Sequence, residues 1–249
     1  MQIVINDLVV NYQVFGEGAV VILVHGWGDN LKNFNKIQIS LSESYKVISL
    51  DLPGFGESSS PASGWSLDDF AEFIRDFVDK LGVKTYAYIG HSNGGAILIN
   101  GLANKTLKAD RLILIAASGI RSTDKLKKKA ILVGAKIGKL PLRLLPTDYQ
   151  LKLKDKIYKM LKSDASVSPK MIETFKKIVG QDVSEDAMKL EVPTLLIYGR
   201  EDNVTPVEYG QIYHQLIKSS KLEIIDGSGH FVHLQEADKV EGLIKDYLK

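Results

Sequence analysis

The chain has 249 residues, 45% hydrophobic and 25% charged, with 32 basic against 30 acidic residues, a net charge of +2 and no cysteine. That is the make-up of an ordinary soluble globular protein, long enough for one large α/β domain or a domain with an insertion. It excludes a disulfide framework and thiol chemistry, and so even a charge balance gives no ground for a nucleic-acid partner.

The N-terminal stretch Met1-Gln2-Ile3-Val4-Ile5-Asn6-Asp7 lacks the basic start and long apolar run of a signal peptide. With the absence of cysteine, this leads us to expect a cytoplasmic location. Residues 2–5 and 8–15 alternate in polarity and read as a hairpin turning at Asn6-Asp7. Residues 19–24 have no polar face and read as a buried strand, far too short to cross a membrane. A further strand is expected at 46–50. Over 66–81, Leu67, Phe70, Phe73, Ile74, Phe77, Val78 and Leu81 share one helical face. Ser66 can cap that helix, and Asp68 and Asp69 in its first turn suit the positive end of its dipole. Residues 85–89 form a strand, a glycine-rich turn follows, and 95–99 can continue as a helix. Residues 111–116 make another buried strand.

The rhythm then breaks. Between Ile120 and Glu191 there are 17 basic and 9 acidic residues, a net +8 against −6 for the remainder. Leu126, Ala130, Val133 and Ile137 make one helical stripe, ringed by lysines from Lys125 to Lys139 and ended by Pro141. Leu153, Ile157 and Leu161 make a second. Ser168-Pro169 can start a third helix, with Ile172, Phe175 and Val179 inward. After Glu191 the alternation resumes: a strand at 193–198, a helix at 207–217, a strand at 221–225 and a last helix at 232–248. The pattern predicts an α/β fold with a mostly parallel sheet, helices on both faces, a core of residues 1–119 and 191–249, and a helical cap at 120–190. The basic cap has three readings: a solvated helix face, a field that steers anionic substrates, or a surface for an anionic membrane.

The chemistry centres on Gly90-His91-Ser92-Asn93-Gly94, set between the strand at 85–89 and the helix after it. A strand–turn–helix around G-x-S-x-G exposes a strained serine hydroxyl for attack. Serine is a weak nucleophile at neutral pH and needs a base. Gly227-Ser228-Gly229-His230-Phe231 supplies an imidazole in a loop after the strand at 221–225. The base needs an acid to orient it. Asp202 in Gly199-Arg200-Glu201-Asp202-Asn203 is the candidate, with Glu201 and Asp226 as alternatives. In a parallel sheet, Ser92, Asp202 and His230 all fall on loops at the carboxyl ends of strands. His25-Gly26-Trp27-Gly28 follows the buried strand at 19–24, and we assign the oxyanion donors to the N–H of Trp27 and of Asn93. Trp27 and Phe231 are candidates to line the substrate pocket. His25 and His91 read as structural, and His233 as facing core or solvent.

These motifs, with Asp51-Leu52-Pro53-Gly54-Phe55-Gly56-Glu57-Ser58 and the run from Pro193 to Asp202, resemble the α/β-hydrolase superfamily over essentially the full length. The resemblance implies eight core strands, a cap after the sixth, no cofactor and no metal. It is nearest to the compact carboxylesterase and carbon–carbon-bond hydrolase branch; serine at 92 departs from haloalkane dehalogenases, which have aspartate there. The leading expectation is a serine esterase acting on small carboxylic esters through an acyl-enzyme. Two alternatives stay open: a hydrolase of vinylogous diketones, and a slow-turnover ligand receptor on the same fold. The partner is a small-molecule ester, with an anionic one among the options. The oligomeric state is left open.

Overall fold

The structure is a computed structural model that describes residues 1–121 and 169–249. The stripes expected at 126–137 and 153–161 lie outside the described residues. Eight strands form one sheet in the order β1-β2-β4-β3-β5-β6-β7-β8. Gln2–Ile5 (β1) and Leu8–Phe15 (β2) make the expected hairpin, with Ile5 opposite Leu8. Asn6 and Asp7 both take positive φ, 47° and 64°, which Asn and Asp tolerate better than other side-chain-bearing residues. β2 runs antiparallel to Lys46–Leu50 (β4). From there the sheet is parallel: β4 on Val20–Val24 (β3), then Thr85–His91 (β5), Arg111–Ile115 (β6), Thr194–Gly199 (β7) and Ser220–Ile225 (β8).

Parallel strands must be covered on both faces, and the two apolar layers show how. On one side Leu67–Leu81 (α2) buries Phe70, Ile74 and Phe77, beside Asn93–Ala103 (α3). Ser66 and Asp69 form a reciprocal capping box at the start of α2, and Gly82 at φ 63° ends it. On the other side Phe34, Ile37 and Leu41 pack with Val240, Ile244 and Leu248.

Several helices differ from expectation. A 3-10 turn at Leu31–Phe34 leads into Asn35–Leu41 (α1), which the sequence analysis did not register. The final helix is two pieces, Val232–Gln235 and Ala237–Leu248, broken at Glu236 where ψ is 48°. Within Pro169–Gly180 the inward face is rotated: Met171, Thr174 and Ile178 are buried, whereas Ile172 and Val179 are exposed. The cause is the loop beneath. Thr174 Oγ1 accepts from Trp65 N at 2.9 Å, and Met171 fills the space over Gly54. A polar residue thus takes a buried position because it satisfies a loop amide. The short helix Ser184–Ala187 also went unread; Val183, just before it, packs against Gly119.

Candidate active site

Ser92 sits at the sharp junction of β5 and α3 with φ 51° and ψ −116°, a strained backbone for a residue with a side chain. Its neighbours hold it there: Ser92 N donates to Ile115 O at 2.9 Å, and Ser118 N donates to Ser92 O at 3.0 Å. The close approach needs glycine. A Cβ on Gly94 would lie 2.3 Å from Val24 O, and one on Gly90 would lie 2.8 Å from Gly95 N.

The loop after β8 brings His230 to this turn. His230 Nε2 lies 3.0 Å from Ser92 Oγ, and His230 Nδ1 lies 2.9 Å from Asp202 Oδ2. Asp202, on the loop after β7, is buried and held from all sides. Its Oδ1 accepts from Val204 N at 2.7 Å and Thr205 N at 2.9 Å, and its Oδ2 lies 2.7 Å from Thr205 Oγ1. Burial pushes its pKa up, but the hydrogen bonds from His230 and Thr205 outweigh that and hold the carboxyl below its ordinary value. The alternatives stand elsewhere: Glu201 is exposed, and Asp226 pairs with Arg200 on the surface. Thr205 was missed at the sequence level. Nothing in a lone Thr-Pro marks its hydroxyl as a partner for the acid.

Trp27 and Asn93 flank Ser92 in a cavity of about 130 Å³, together with Ser118, Arg121 and Phe175 among the described residues. Among the described residues the main-chain N–H groups of Trp27 and Asn93 have no partner. Phe231 is placed differently from expectation. It is 41% exposed, lies outside the described lining of the cavity, and packs on the rings of His91 and His230. A larger cavity of about 610 Å³ opens at the opposite end of the sheet, by Thr85, Tyr88 and Lys105, away from Ser92.

The remaining motif residues buttress these loops. His25 Nε2 accepts from Leu52 N at 2.9 Å. Asp51 accepts from Leu31 N, Glu57 N and Asn11 Nδ2, gathering three segments beneath the site. His91 Nε2 lies 3.0 Å from His230 O and donates to it, tying the serine turn to the histidine loop. The His233 ring is tilted by 53° against that of His91, with centroids 4.5 Å apart, and is buried with no hydrogen-bond partner on either nitrogen. Burial, then the charge of His230, push its pKa down to about 4. The unfolded chain therefore takes up a proton near pH 6.5 that the folded chain refuses until about pH 4. Stability falls as pH drops through that window, by on the order of 3 kcal/mol from this residue. Urea titrations at pH 7 and pH 4.5 should show the loss in wild type and a smaller one in His233→Phe.

The arrangement can lower the cost of alkoxide attack, since an imidazole faces the serine hydroxyl while a carboxylate holds its other nitrogen. Among the described residues no cluster of three or more His, Asp or Glu could hold a metal ion, and no helix is long and apolar enough to cross a membrane.

A family model described as alpha/beta hydrolase fold matches residues 19–165 and 117–237. An AB hydrolase superfamily protein of Bacillus subtilis strain 168 is 26% identical over 93% of this chain and 92% of its own. The structure of an esterase from Exiguobacterium antarcticum superposes with a TM-score of 0.77 at 24% identity, covering 99% of this chain and 98% of that one. A meta-cleavage product hydrolase from Pseudomonas fluorescens IP01 does so at 0.74 and 25% identity, covering 99% and 96%. The matched stretches run from residue 19 to residue 237, most of the chain, and the chain belongs to the α/β hydrolase fold family.

Proposed function

We propose that the protein is a serine hydrolase that cleaves small carboxylic esters through an acyl-enzyme. The observation that carries this is the continuous path Ser92 Oγ, His230 Nε2, His230 Nδ1, Asp202 Oδ2, with steps of 3.0 Å and 2.9 Å across the ring's two sides. In the first half-reaction Ser92 Oγ bonds to the ester carbonyl carbon as its proton passes to His230 Nε2. The carbonyl oxygen becomes negative and is held by the N–H of Trp27 and Asn93, each donor worth about a hundred- to a thousandfold in rate. The C–O bond to the alcohol breaks, and His230 returns the proton to the departing oxygen. Water then repeats the sequence, releasing the acid and restoring Ser92. Asp202 stabilises the imidazolium throughout. The cavity beside Ser92 takes the acyl group.

The test is a pre-steady-state assay with p-nitrophenyl acetate and butyrate. We expect a burst of one p-nitrophenolate per protein, and a mass gain of one acyl group on the peptide carrying Ser92 after a quench. The structural likeness to a meta-cleavage product hydrolase makes a coloured dienoate the natural counter-substrate. Turnover of the dienoate with no burst on esters would overturn the ester reading in favour of carbon–carbon cleavage. Stoichiometric ligand binding without turnover would mark a receptor instead.

A further inference from the structure

The cavity beside Ser92 contains a charge that its described walls do not neutralise. Arg121 stands just past β6, and it is the sole charged residue among the described lining of that cavity. Its Nε is sealed from solvent and has no hydrogen-bond partner. Asp182, which meets the same stretch of chain, is engaged by the backbone instead. Its Oδ2 accepts from Arg121 N at 3.1 Å and its Oδ1 from Ser184 N at 2.8 Å. Asn93 also lines the cavity, and its Nδ2 is buried behind that wall without a hydrogen-bond partner. The other described walls are mostly apolar, with Trp27, Phe175, Ile178 and Val204 prominent.

A guanidinium keeps its charge at any ordinary pH, and a buried donor left unpaired is costly. A lone cation in the wall of an otherwise mostly apolar pocket is complementary to an anion, and the planar fork of arginine fits a carboxylate best. The volume, about 130 Å³, is below the ~300 Å³ typical of ligand sites and suits a chain of few carbons. Resting on the hydrolase reading of Ser92, we propose that the substrate is the monoester of a short dicarboxylic acid. Its ester carbonyl lies at Ser92, and its free carboxylate is bound by Arg121. Arg121 is then the residue that sets specificity, and the signal for it is absent from the sequence because it depends on which residues meet in the fold.

The experiment compares kcat/KM for monomethyl glutarate with that for methyl pentanoate, which matches it in length but lacks the charge. Wild type is expected to prefer the charged ester by at least about tenfold. Arg121→Gln should cut that preference by about ten- to a hundredfold, and Arg121→Lys, which keeps the charge without the fork, should restore part of it. A wild-type preference at or below one, or a preference unchanged in Arg121→Gln, would overturn the proposal even with ester hydrolysis intact. If neither methyl ester is cleaved, the p-nitrophenyl assay decides the ester reading of Ser92, and glutarate binding decides the role of Arg121. Calorimetry on Ser92→Ala should show glutarate bound and the binding lost on adding Arg121→Gln; no binding, or binding indifferent to Arg121, would refute it.

Discussion

Ser92→Ala is expected to hydrolyse p-nitrophenyl butyrate about a millionfold more slowly than wild type, with its thermal transition preserved. The size follows from the proposed chemistry. Without Oγ there is no acyl-enzyme, and His230 has no hydroxyl to deprotonate. What remains is direct attack by water at the oxyanion donors, which retains about a thousandfold over the uncatalysed reaction. The same loss is expected from His230→Ala, and the double variant should be no slower than either single one, because nucleophile and base act as a unit. Full activity in Ser92→Ala would place the chemistry elsewhere. The fold should tolerate the change, since the contacts that hold the turn are made by the backbone of residue 92, through Ile115 O and Ser118 N.

The second large effect belongs to Asp202→Asn, for which we expect about a ten-thousandfold fall in kcat with little change in KM. The hydrogen bonds around Asp202 dictate the outcome. Oδ1 faces two main-chain donors, Val204 N and Thr205 N, so an amide would keep its oxygen there. Its NH2 would then occupy the Oδ2 position and donate to His230 Nδ1. That fixes the proton on Nε2, the nitrogen that must accept one from Ser92. The residue would be nearly isosteric and the base still the wrong tautomer. Steady-state kinetics and a crystal structure of the variant would test both halves: lost turnover with unchanged loop geometry.

Much of the frame was legible before any coordinates, for identifiable reasons. The hairpin, β3 and α2 carry strong local signals: an Asn-Asp turn, an all-apolar strand, a capping serine before a seven-residue apolar face. The serine turn was legible because steric crowding leaves few sequences that can make it, and Gly90 and Gly94 show where the crowding lies. What failed was whatever the tertiary context decides. In Pro169–Gly180 the stripe Ile172, Phe175, Val179 and the stripe Met171, Thr174, Ile178 both have helical spacing; only the loop at Gly54 and Trp65 selects the second. The Leu31, Phe34, Ile37, Leu41 series was present in the sequence but is spread over a 3-10 turn and a short helix, so its period is uneven. Phe231, a candidate to line the pocket, directly follows His230 in sequence, but the turn into the next helix directs its ring onto His91. Thr205 and Arg121 are isolated residues whose importance arises only where separate loops converge.

The proposed base enters on the loop that follows β8, the last strand in sequence and an edge of the sheet. A polypeptide still emerging from the ribosome would therefore display a serine with no imidazole to activate it. Reactivity would switch on only once the loop after β8 has been made and that strand has zipped alongside β7, so that a shorter nascent chain is harmless to the esters around it.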